Sequence, residues 1–111
     1  MSNKTFNVSG CTSDACIVSD NGNATVNVGD WVQWNKTGSA SSISITVKKG
    51  TDKDIWGDTP PAPYPNATSS NWRGTVQFVG DGGEDYSVGC TCGSNSSSHD
   101  PRITVATGGN R

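Results

Sequence analysis

Ala24-Thr25-Val26-Asn27-Val28-Gly29-Asp30-Trp31-Val32-Gln33-Trp34 is the stretch from which the fold of this chain is read. Ala24, Val26 and Val28 alternate with Thr25 and Asn27, the period-2 pattern of a strand with one buried face. Gly29-Asp30 breaks the alternation, as a glycine does at a bend or bulge, and Trp31-Val32-Gln33-Trp34 resumes it. Upstream, Asp20-Asn21-Gly22-Asn23 predicts a hairpin, because Asn-Gly tolerates the positive φ angles of a two-residue turn. Before it lie an alternating Phe6 and Val8 and a short apolar patch, Cys16-Ile17-Val18. Downstream, Ile43, Ile45 and Val47 predict a strand ended by Lys48-Lys49-Gly50, and Val76 and Phe78 another. Tyr86, Val88, Cys90 and Cys92 alternate after Gly80-Asp81-Gly82-Gly83, which puts both cysteines on the core face. Ile103 and Val105 form a closing strand.

What the chain lacks agrees with that pattern. It has no leucine, one methionine, one glutamate and two glutamines, so residues that favour helices are scarce, while valine, threonine, serine, asparagine and glycine abound. At 111 residues one core is expected, a single domain over 1–111. Apolar residues make up 31 % of the chain, which leaves that core thin and makes covalent bracing useful. The expectation is an all-β domain, a small antiparallel Greek-key β-sandwich of about seven strands.

Charge and hydropathy bear on partners. A net charge of −2 with both signs mixed along the chain offers no basic face for nucleic acid and no polybasic membrane patch. No stretch approaches the roughly 20 apolar residues that cross a bilayer, so no membrane insertion is expected. Met1-Ser2-Asn3-Lys4 is not followed by an apolar signal core, so either the protein is cytosolic or Met1 replaces a removed leader. Six Asn-x-Ser/Thr triplets begin at Asn3, Asn7, Asn23, Asn35, Asn66 and Asn95, an excess read as compositional in a chain so rich in asparagine, serine and threonine.

Residues 51–73 carry no sustained periodicity, four prolines at Pro60, Pro61, Pro63 and Pro65, and three large rings, Trp56, Tyr64 and Trp72. An irregular connection of this length is often functional. Rings left unpacked there would form a platform able to stack on a carbohydrate or hold a protein partner, with at least one of the three expected instead to cap an open end of the core.

The order of elements resembles the cupredoxin family. Residues Ala24 to Trp34 look like that family's strand, Gly-Asp turn and Trp-containing strand; the stretch from Thr75 to Val105 looks like its C-terminal half, with Gly82-Gly83-Glu84-Asp85-Tyr86-Ser87-Val88-Gly89-Cys90, a polar loop and Ile103-Thr104-Val105. The resemblance implies a cupredoxin-like sandwich. It also implies a type 1 copper site of two histidines, one cysteine and a weak axial methionine. Cys90 and His99 stand where the cysteine and the second histidine would, but no histidine precedes the third strand near Ser41 or Ser42, and no methionine follows His99. The copper site is incomplete, and no cofactor is expected from it.

The cysteines admit two chemistries. Cys90, Cys92 and His99 form a Cys-x-Cys…His set suited to copper or zinc, and Cys11 and Cys16 would raise it to four thiolates. Alternatively Cys11 and Cys16 pair with Cys90 and Cys92 as disulfides, in an oxidising compartment, extracellular or periplasmic. Residues two apart on a strand sit at the edge of bridging distance, which disfavours Cys90 with Cys92, but the connectivity stays open. His99-Asp100 beside a run of serines suggests a hydrolase, yet no Gly-x-Ser-x-Gly elbow is present and a turn explains the segment. Asp81, Glu84 and Asp85 match no EF-hand spacing and read as a solvated turn. No catalytic residue is assigned, and the expectation is a non-enzymatic binding or structural module.

Overall fold

Alternation translates into strands wherever it is unbroken. In the computed structural model, which describes residues 3–12, 15–47, 55–66, 70–79 and 82–106, these are β1 (Lys4–Cys11), β2 (Cys16–Val18), β3 (Ala24–Val26), β4 (Trp31–Lys36), β5 (Ser42–Val47), β6 (Ala62–Pro63), β7 (Trp72–Thr75), β8 (Gly83–Cys92), β9 (Asn95–His99) and β10 (Arg102–Val105). The expected count of about seven is exceeded because β6, β7 and β9, of two, four and five residues and without readable periodicity, also pair. The ten strands make two five-stranded sheets, one ordered β2-β1-β4-β7-β6 and the other β3-β10-β8-β5 with β9 added on β8.

Both sheets are mixed rather than antiparallel. β1 runs parallel to β4, with Phe6 beside Trp34, and β3 parallel to β10, with Thr25 beside Thr104. The reason lies in the turns: Asp20-Asn21-Gly22-Asn23, read as a hairpin, instead carries the chain from the first sheet to the second through the turn Ser19–Gly22, and Gly29-Asp30 carries it back. Asp20, Asn21 and Gly22 hold φ angles of 53°, 55° and 76° in succession. At Gly22 a Cβ would stand 2.7 Å from Pro101 Cγ, so both conformation and space require glycine. Asp30 is buried, and its Oδ2 accepts from the Asn27 N–H at 2.9 Å, which closes the second crossing.

β8 is the longest strand, and β9 and β10 lie along one side of it in a single register, Cys92 opposite Asn95, Val88 opposite His99 and Asp85 opposite Arg102. The core forms where the inner faces meet: Phe6, Val8, Val32 and Trp34 from the first sheet against Ile43, Ile45, Tyr86, Val88, Ile103 and Val105 from the second. Trp34 stacks on Phe6 at 6.0 Å and meets Tyr86 edge-on at 5.3 Å. Its Nε1 donates to the Tyr86 hydroxyl at 3.1 Å, and that hydroxyl donates to the Gly22 carbonyl oxygen. Val28 and Phe78, read as inward, are exposed, because the paired strands end before them. Lys48-Lys49-Gly50 falls outside the described residues.

Two disulfides cross from sheet to sheet, Cys11–Cys92 and Cys16–Cys90, with Cα separations of 6.1 and 5.9 Å. Cys11 and Cys16 are direct neighbours across the β1–β2 pair, and Cys90 and Cys92 share one face of β8, so the two bridges lie side by side. Each closes a long loop and contributes about 2–4 kcal/mol by constraining the unfolded chain.

Candidate aromatic and arginine binding face

A residue directly across a ladder lies on the same face as its partner, so the outer surface of the first sheet can be assembled from its register. β4 alternates Val32 and Trp34 inward with Trp31, Gln33 and Asn35 outward. Gln33 is opposite Arg73 of β7 and Trp31 opposite Thr75; on the other side Thr5 and Asn7 of β1 stand beside Gln33 and Asn35. β6 sets Ala62 opposite Arg73, and the Tyr64 N–H donates to the Asn71 carbonyl at 2.9 Å, which extends that pairing and brings Tyr64 to the Arg73 side.

The Arg73 guanidinium lies between two rings, its Cζ 3.8 Å from the Trp31 ring centre and 4.0 Å from that of Tyr64. Both distances are well inside the cation–π range. Arg73 Nε donates to Gln33 Oε1 at 2.8 Å, and Gln33 Nε2 donates to Asn35 Oδ1 at 2.7 Å, so a chain of amides leads from the guanidinium across β4. Among the described residues Arg73 makes no ion pair and no further hydrogen bond, which leaves its terminal N–H donors uncommitted. Thr5, Asn7, Gln33, Asn35 and Thr75 around it are all uncharged. The face can stack a flat ring, exchange hydrogen bonds with hydroxyls and receive one negative charge.

The three rings read from residues 51–73 do not assemble into a platform. Trp56 is fully buried, tilted against Trp34 at 6.4 Å, and takes the capping role expected of at least one of them. It is held there because Ile55 accepts backbone hydrogen bonds from both Gln77 and Phe78. Trp72 is half-buried against the core as the inward neighbour of Arg73. Only Tyr64, 40 % exposed, reaches the surface. Trp31 carried a signal in sequence only through alternation, since in Trp31-Val32-Gln33-Trp34 one tryptophan must face out, and Arg73, in a stretch without periodicity, carried none.

The other candidates are dispersed. All four cysteine sulfurs are engaged in disulfides, so Cys90 and Cys92 offer no thiolate, and His99 Nε2 is 2.7 Å from the Asn21 carbonyl oxygen on the second sheet's side. The donors of a type 1 copper site therefore do not fit here, and among the described residues no three His, Cys, Asp or Glu side chains converge for a metal. Asp100 accepts from Ser87 Oγ at 2.6 Å, on the opposite side of the strand from His99. Glu84 is buried, accepting from the Ile55 N–H at 3.2 Å, while exposed Asp85 pairs with Arg102 at 3.0 Å. Neither belongs to the solvated turn expected for the pair, and Asp81 lies outside the described residues. No helix among the described residues is long and apolar enough to cross a membrane. Comparison of the sequence with protein-family models finds no match, and neither does comparison with curated proteins.

Proposed function

We propose that this chain is a non-enzymatic binding module on a cupredoxin-like scaffold, and that it holds a carbohydrate on the outer face of its first sheet. The cupredoxin-like reading draws on the strand, Gly-Asp turn and Trp-bearing strand from Ala24 to Trp34, which lead into the same two-sheet core as the closing strand at Ile103. The observation that carries the functional reading is the Trp31–Arg73–Tyr64 stack continued by Gln33 and Asn35. Aromatic rings supply contact area at little entropic cost, and amide groups both donate and accept, as sugar hydroxyls require. Tyr64 of the proline-rich connection and Arg73 at its end contribute to the site, while Trp56 and Trp72 pack inward beneath it. The two disulfides suit an extracellular or periplasmic setting.

Affinity electrophoresis through gels containing polysaccharides of different composition tests this reading. Wild-type protein should be retarded by at least one of them, and the Trp31→Ala/Tyr64→Ala variant should migrate freely with its thermal unfolding still cooperative. Equal retardation of that folded variant, or none of the wild type by any polysaccharide, would overturn it.

A further inference from the structure

Among the described residues the proposed face has one charge, Arg73, and no carboxylate there answers it. We infer that the ligand is an acidic polysaccharide whose uronate carboxylate docks on the Arg73 guanidinium; the inference rests on the carbohydrate-binding reading and adds the ligand's chemistry to it. The two rings hold the guanidinium plane on both sides, at 3.8 and 4.0 Å, and Gln33 fixes its Nε, so the group is oriented before any ligand arrives. A planar fork held this way matches a carboxylate bidentately, where a lysine would act only as a point charge. Half-buried Lys4 and exposed Arg102 are each answered by a carboxylate within the chain, Asp20 and Asp85, and Lys36 Nζ donates to the Ala40 carbonyl oxygen at 3.4 Å. Among the described residues Arg73 meets no carboxylate, although the chain as a whole is acidic at −2. A half-buried cation without a counterion, on a sheet face otherwise built of Thr5, Asn7, Gln33, Asn35 and Thr75, is complementary to a hydroxyl-rich polymer bearing spaced single negative charges. A peptide that adds as a strand needs a free sheet edge, which this face does not offer.

Calorimetric titration with oligogalacturonate, its fully methyl-esterified form, a neutral cello-oligosaccharide, dextran sulfate and poly-L-glutamate separates the possibilities. Oligogalacturonate should bind at least tenfold more tightly than its methyl ester, with affinity falling as salt is raised, in line with a charge-assisted hydrogen bond partly screened by ions. Arg73→Gln should lose that tenfold preference while keeping whatever affinity remains for the ester. Arg73→Lys, which keeps the charge but loses the fork, should fall between the two, and it serves if the glutamine variant unfolds. Equal binding of acid and ester, or tighter binding of the neutral oligosaccharide, overturns the uronate inference and leaves the carbohydrate reading standing. Tighter binding of dextran sulfate or poly-L-glutamate overturns it as well, by showing that bare charge or another polymer is preferred. No binding of any sugar overturns both.

Discussion

Replacing Tyr86 with phenylalanine removes one oxygen atom and disturbs three elements at once. The hydroxyl donates to the Gly22 carbonyl in the crossing between the sheets and accepts from Trp34 Nε1 at 3.1 Å, and Trp34 and Tyr86 are both fully buried. Phenylalanine keeps the shape of the ring but strands a buried N–H and a buried carbonyl, with no water able to reach them. The net loss of two hydrogen bonds, with the penalty for the stranded groups, comes to about 2–4 kcal/mol. In a domain near 100 residues that lowers Tm by roughly 10–20 °C. The same substitution alters the response to alkali. Burial raises the Tyr86 phenol above its ordinary value, more than the Trp34 hydrogen bond lowers it, so the folded protein holds this proton more tightly than the unfolded chain does. Stability is therefore complete below about pH 10, where the unfolded phenol is also protonated, and declines above it by about 1.4 kcal/mol per pH unit. The decline continues until the folded phenol itself ionises. Urea unfolding followed by tryptophan fluorescence, between pH 7 and 11, should show Tyr86→Phe less stable at pH 7 and lacking this component of the alkaline decline. A variant within about 0.5 kcal/mol of wild type at pH 7, or one with the same alkaline slope, would refute the reasoning.

Two further outcomes follow from burial. Cys11 and Cys92 are half-buried, whereas Cys16 and Cys90 are 6 % and 4 % exposed, so limited dithiothreitol followed by alkylation and peptide mapping should label Cys11 and Cys92 first. Early label at Cys16 and Cys90 would contradict this. Trp56→Ala should cost about 3–5 kcal/mol in urea unfolding, as expected for truncating a fully buried aromatic ring, and a loss below about 1 kcal/mol would place the ring outside the core.

Local pattern was enough for some of this and not for the rest. Ile43 to Val47 and Tyr86 to Cys92 are strands with the burial their alternation predicts, because a period of two reports only which face a residue takes. The two-sheet arrangement was legible on the same grounds, from short alternating runs, whereas the cysteines left disulfides and a metal site both open and their connectivity undecided. Direction and partner choice were not legible. Asn21-Gly22 permits positive φ whether the next strand returns beside its predecessor or leaves for the opposite sheet, and here Tyr86, 64 residues away, takes the Gly22 carbonyl and fixes the crossing. The binding face was hidden for a related reason. Gln33 and Arg73 meet across the β4–β7 ladder although 40 residues separate them, and Tyr64 joins them only because β6 pairs with β7. Trp56, by contrast, stands in a polar segment, and the pairing of Ile55 with Gln77, Phe78 and Glu84, all distant in sequence, carries it inside.

The two nested disulfides have a consequence for proteolysis. Cys16–Cys90 and Cys11–Cys92 span 74 and 81 residues of sequence, and the whole 51–73 connection lies within both of those closed loops. A peptidase that cuts the connection therefore releases no fragment: the nicked molecule remains one covalent body of two polypeptides, its sheets still joined at both bridges. A single cut there after folding leaves the halves of the sandwich covalently joined.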